Sequence, residues 1–190
     1  MFNSVKQSLK QLAKQGKPNN KQKIRENARV FSDFNHFLGF GFGSGLSPIA
    51  PGTMGTIAAI PVYLLMVLTL PTWLYISLTI LFFIVGIRIC QKVSDDLKVH
   101  DFSGIVWDEV VGYLITMMFL PVTWELIIIG FFVFRFFDVI KPWPIGWLDK
   151  HVSGGFGIMI DDVLAGLFSW VVMILISQYW LTTSLWPVNF

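Results

Sequence analysis

Four apolar runs, at residues 54–70, 73–89, 110–137 and 163–181, limit what this chain can fold into. Three of them are 17 to 19 residues long, about the least that carries an α-helix across a hydrocarbon core of roughly 30 Å. The run at 110–137 has 28 residues and contains Pro121 and Glu125. A proline inside a helix removes a hydrogen bond and clashes with the preceding turn. Two spans joined by a tight turn at residues 121–124 are therefore expected there, which makes five membrane helices, or four if the run stays whole. Composition points the same way: 54% of the 190 residues are apolar and 14% charged, against about 25% charged in a soluble domain. The expected fold class is an all-α, membrane-embedded helical bundle.

The charges set an orientation. All fourteen Lys and Arg fall in the amino-terminal segment, in residues 88–98 or in residues 135–150. The connections at 71–72 and near Val122, and the tail after Leu181, carry none. The positive-inside rule puts the basic segments, and the polar loops beside them, in the cytoplasm. A basic segment (1–35), one membrane-embedded catalytic domain (36–181) and a short tail (182–190) are expected. Eight of the basic residues precede Val30, with no apolar core among them, so this start is not a signal peptide. Val5, Leu9, Leu12 and Ala13 share a helical face opposite Lys6, Lys10 and Lys14; the segment reads either as a helix on anionic lipid or as a solvated tail. The expected partners are a membrane and a lipid, with no nucleic acid. Cys90 is the one cysteine, so there is no intramolecular disulfide, and its apolar surroundings suggest packing.

Three polar segments remain, all on the expected cytoplasmic side. Asp108-Glu109 and Asp161-Asp162 sit where apolar runs begin, and Asp138 where one ends. A charged side chain at membrane depth persists where it faces a partner or a water-filled cavity. Carboxylates brought together repel one another unless a cation or shared protons intervene. Magnesium takes oxygen ligands and pairs with phosphates. Capping of helix starts is the plainer reading of any one pair. Arg135 and Lys141 flank Asp138 at three residues on either side, so in a helix these neighbours share a face. Lys141 suits a phosphate or, beside Trp143 and Trp147, a membrane-interface anchor.

Residues 39–56 are rich in glycine and include Ser44, Ser47 and Thr53. They do not match a nucleotide-binding loop. They could form a backbone nest for phosphate or pack helices closely through small residues. His100 beside Asp101 could contact substrate, bind metal or transfer a proton; His36 and His151 carry less.

Residues 41–55 (GFGSGLSPIAPGTMG), 99–101 (VHD), 105–109 (IVWDE), 134–145 (FRFFDVIKPWPI) and 154–166 (GGFGIMIDDVLAG) resemble the phosphatidylglycerophosphatase A family, in order and with compatible spacing. The resemblance implies an all-helical membrane enzyme of phospholipid biosynthesis. It would hydrolyse phosphatidylglycerophosphate to phosphatidylglycerol and phosphate, with magnesium, at the inner face of the bacterial membrane.

Other phosphatase chemistries lack their residues: Asp96 stands where a cysteine phosphatase with Cys90 would need Arg. Metal-assisted attack of water is expected, with Asp108, Glu109, Asp138 and Asp162 as ligands and Asp161 orienting water or supporting them; an aspartyl-phosphate intermediate on one of these carboxylates is the open alternative. Lys141 and Arg135 would stabilise charge on the transferring group, with His100, Asp101, Ser44 and Thr53 as further substrate contacts. A transporter or channel using intramembrane carboxylates is the alternative.

Overall fold

The structure, a computed structural model, describes residues 28–99 and 102–184. The expected lipid-surface helix at the amino terminus, the pair His100 and Asp101, and most of the short tail lie outside the described residues. Those described form helices and connecting turns, with no strand among them.

A short helix α1 (Phe34–Gly39) is capped by Asp33, whose carboxylate accepts from the backbone N–H of Asn35 at 2.8 Å. A 3-10 segment at Gly41–Leu46 follows, then α2 (Pro51–Thr69), which opens on a proline whose missing N–H would be unpaired there anyway. Next come α3 (Thr72–Leu97), α4 (Trp107–Thr116), α5 (Trp124–Ile140), α6 (Ile145–His151) and α7 (Gly154–Ser184). Among the described residues, three helices are long and apolar enough to cross a membrane: Pro51–Thr69, Thr72–Leu97 and Gly154–Tyr179 of α7.

The proline-interrupted run does divide in two. α4 and α5 are joined by residues 117–123, so Pro121 marks a turn and not a kink. Contacts between the two run in opposite directions: Glu109 meets Arg135, Gly112 faces Phe134, and Met117 faces Gly130. The two halves are unequal, however. The ten residues of α4 rise about 15 Å, roughly half a hydrocarbon core. α4 is a central helix rather than a span, with every residue but Ile115 buried.

Side-chain donors reach backbone carbonyls on and around the short helix, which suits an apolar interior. Tyr75 Oη donates to Leu114 O at 2.6 Å, Tyr113 Oη to Ile127 O at 3.0 Å, and Trp170 Nε1 to Met118 O at 2.8 Å. Tyr63 packs edge-on against Tyr75 and Tyr113, at 6.4 and 6.2 Å between ring centres, a favoured geometry for aromatic pairs. Cys90 is buried with its Sγ 3.6 Å from Met159 Sδ, in a packing role.

α7 begins at Gly154, well before the apolar run expected from residue 163. Its first turn is rich in glycine, and there it lies against α3: a Cβ at Gly155 would fall 2.0 Å from Ile87 O. Asp161 and Asp162 therefore sit about two turns inside the helix, not at its mouth, and helix capping does not account for them.

α4 and α7 also cross closely, where a Cβ at Gly166 would fall 2.5 Å from Gly112 O. The obstacle is backbone, which cannot move aside. Gly166→Val is expected to cost about 1–3 kcal/mol by overpacking, seen as a drop of roughly 2–4 °C in the thermal midpoint per kcal/mol. An unchanged midpoint in detergent would contradict so tight a crossing.

Candidate active site

Four chain segments converge at one end of the bundle around a cavity of about 350 Å³. α4 contributes Asp108 and Glu109 from its first turn, α5 contributes Arg135 and Asp138, and α7 contributes Asp161 and Asp162. Gly52 comes from the start of α2 and Lys141 from the residue that ends α5.

Three carboxylates form the centre. Asp108, Glu109 and Asp162 are buried, and each offers an oxygen within 4.8 Å of the others. Octahedral ligands about 2.1 Å from a magnesium ion lie roughly 3–4 Å apart, so the cluster is close to that size. Glu109 Oε2 and Asp162 Oδ2 are buried with no hydrogen-bond partner among the described residues. Buried acceptors left in that state are costly unless something else satisfies them. The oxygen-only donor set and these two orphaned atoms fit a hard divalent cation.

Asp138, expected as a fourth ligand, is placed beside the centre and turned to another partner. Its Oδ2 lies 2.5 Å from Arg135 Nη1, while the same nitrogen is 3.7 Å from Glu109 Oε1. Asp138 is also within hydrogen-bonding reach of Asp162. Arg135 thus sits between two acids as their counter-ion.

Lys141 is reached differently. It ends α5 in a left-handed conformation, with φ of 45°, so it leaves the helical face it was expected to share with Asp138. Its Nζ donates to Asp161 Oδ2 and to Asp149 Oδ1, both at 2.5 Å. Burial works against the ammonium, but the two aspartates outweigh it and hold its pKa above the usual lysine range. Asp161 is accordingly the partner of Lys141 and not a member of the three-carboxylate group.

Two residues of the site were missed in the sequence. Asp149 lies on α6, eight residues beyond Lys141, a separation with no helical meaning. Gly52 was visible only as one glycine among many; a Cβ there would fall 2.2 Å from Glu109 Oε1 and 3.1 Å from Arg135 Nη1. Any side chain at 52 would push into the ion pair.

Other candidates lie elsewhere. Ser44 Oγ points to Phe40 O at 3.5 Å, and neither it nor Thr53 lines the cavity. The glycine-rich segment packs closely instead: a Cβ at Gly45 would fall 2.0 Å from Gly104 O. His36 bonds Asp96 at 3.1 Å, and His151 stacks on Trp147.

Residues 37–177 match the family model described as Phosphatidylglycerophosphatase A. A phosphatidylglycerophosphatase A of Escherichia coli is 49% identical over 146 residues, covering 76% of this chain and 84% of that protein. One from Haemophilus influenzae is 44% identical over 147 residues, covering 77% and 90%. A Bacteroides thetaiotaomicron protein, named provisionally as a phosphatidylinositol-3-phosphatase, is 37% identical over 143 residues, covering 72% and 89%. No solved structure matches the chain.

The Arg135 contacts make a prediction that needs no assay of activity. Removing one partner of a mostly buried ion pair costs about 3–5 kcal/mol, because the remaining charge stays buried. Arg135→Met should lower the unfolding free energy by an amount of that order, and Arg135→Met with Asp138→Asn should recover part of it. Additive losses in that double-mutant cycle would show that the pair is not coupled.

Proposed function

The chain belongs to the phosphatidylglycerophosphatase A family, and on that premise we propose that it hydrolyses the phosphomonoester of phosphatidylglycerophosphate to phosphatidylglycerol and inorganic phosphate. The observation that carries this reading is the buried group of Asp108, Glu109 and Asp162, closed around one small volume beside Lys141 in a shared cavity.

Magnesium is the proposed cofactor, held by Asp108, Glu109 and Asp162, with Asp138 next to them. Bound there, it would neutralise phosphate oxygens and lower the pKa of a water ligand. Lys141, fixed between Asp149 and Asp161, presents positive charge to the phosphoryl group as its negative charge shifts toward the leaving oxygen. A lysine held by two carboxylates is already oriented, so little reorganisation is left for the reaction itself. Arg135 keeps Glu109 and Asp138 in place and screens their repulsion.

The same reading places the site at the cytoplasmic face of the bacterial inner membrane in a multi-pass protein. Its support is the positive-inside distribution of Lys and Arg. The transporter alternative would spread its carboxylates through the depth of the bilayer; here they gather at one end, and Glu125 lies at the opposite turn.

Two experiments test the proposal. Phosphate release from phosphatidylglycerophosphate in detergent micelles should require magnesium and stop with a chelator. Asp162→Asn should reduce it by roughly 100-fold or more, while Asp149→Asn, which leaves Lys141 one of its two carboxylates, should cost about tenfold. Release that is indifferent to both the chelator and Asp162→Asn would sink the metal-site reading. For orientation, Cys90 is buried and so is a quiet background. Lys150→Cys, at an exposed position on α6, should react with a membrane-impermeant maleimide in inverted vesicles and not in intact spheroplasts. The reverse pattern would turn the topology over.

A further inference from the structure

The cavity is charged on most of its wall and apolar at one edge. Ala50 and Pro51, at the start of α2, and Val139, in the last turn of α5, line it together with the carboxylates. The contact between Gly52 and Arg135 brings these residues together. Val139 lies one helical turn beyond Arg135 on the same face of α5, and Ala50 lies two residues before Gly52. Val139 and residues next to this edge in the chain are apolar and open to the outside. Ile49 is 79% exposed, Val139 68%, Ile140 56% and Trp143 83%.

The edge is also preformed. Ser47 Oγ donates to Ile49 O at 2.7 Å, and Ala50 is left-handed with φ of 47°, which turns the exposed loop sharply into α2. Non-glycine residues adopt that conformation at a cost and where surroundings impose it. Trp143 is the residue type that settles at the boundary between hydrocarbon and water.

We propose that the gap between the start of α2 and the end of α5 is a lateral portal. There the diacylglycerol part of a phospholipid rests while its phosphomonoester occupies the cavity. The proposal rests on the lipid-phosphatase reading above and adds the route and the second half of the binding site. A lipid of this class cannot be withdrawn whole from the bilayer, because each methylene exposed to water is costly. Its phosphate must nevertheless reach the three carboxylates and Lys141. An opening that is apolar at the bilayer edge and charged within satisfies both demands. Ile49 and Val139 then favour a substrate that carries acyl chains over a soluble phosphomonoester with the same head group.

The test compares two non-hydrolysable phosphonates bound by the full-length protein in mixed micelles. One carries two acyl chains, and the other has the same head group without chains. The natural protein should prefer the diacyl compound. Ile49→Ser combined with Val139→Ser should reduce that preference about tenfold, as expected for losing contact with a few methylenes. Leu68→Ser, at a position 70% exposed near the far end of α2, should leave it as it was. A preference that survives in the double variant, or that falls equally in Leu68→Ser, overturns the portal. Phosphate release by the natural protein is measured in parallel. Its absence would count against the phosphatase reading, while the ratio of affinities still judges the portal. No binding of either phosphonate by the natural protein would sink both.

Discussion

Five carboxylates share one cavity with two cations, and most of the architecture follows from that imbalance. Acids this close destabilise the folded chain unless something neutralises them, and burial raises the cost. Nevertheless, the helices are arranged to bring them together. α4 is short and enclosed on nearly every side, which puts Asp108 and Glu109 within reach of both α5 and α7. Glycine makes the approach possible at each crossing: Gly112 and Gly166 between α4 and α7, and Gly52 against the Glu109–Arg135 pair. Apolar helices in lipid gain little from burying one another's side chains, so close backbone packing is a main means of holding them. The glycine crossings are thus both the adhesive of the bundle and the reason its acids meet.

The two cations divide the work. Arg135 lies between Glu109 and Asp138, where a planar group with several donors can serve two acceptors at once. Such an arrangement stabilises the acids and leaves the guanidinium little freedom to follow a substrate. Lys141 is held only by its tip. Its left-handed backbone turns the side chain away from the helical face of Arg135 and into the space between Asp149 and Asp161. A compact ammonium can keep one of these contacts while turning a donor toward an incoming phosphate. This division is the physical support for the proposal that Lys141, rather than Arg135, meets the phosphate.

Much of this was legible in the sequence. The apolar runs located the long helices, Pro121 located the turn between α4 and α5, and the paired acids located the end of the bundle where the carboxylates gather. These are local signals. The start of α7 was missed because Gly154 to Gly157 look like a loop in composition; they are helical because α3 lies against them, with Gln91 Oε1 accepting from Gly155 N at 2.7 Å. Asp149 was missed for a similar reason, since only the reversal of the chain between Lys141 and α6 brings it to Lys141. The glycine-rich segment illustrates an ambiguity of another kind. A phosphate nest and a close packing surface require the same residues, and only the approach of Gly104 to Gly45 distinguishes them.

The depth of the cavity bears on what such a site can do. Charges placed at the middle of a bilayer cost several kcal/mol each, whereas at a helix end water and lipid head groups lie close by. A conduction path must accept the larger cost, because an ion has to be met throughout its passage. An enzyme acting on a head group need not, since its reacting atoms are already at the boundary. In this chain the buried hydroxyls of Tyr75, Tyr113, Thr79, Thr116 and Ser169 bond backbone carbonyls, while the five carboxylates of the cavity gather at one end of the bundle. Charge gathered at one end, beside an interior of neutral hydroxyls, suits the proposed chemistry on a lipid head group better than conduction across the membrane.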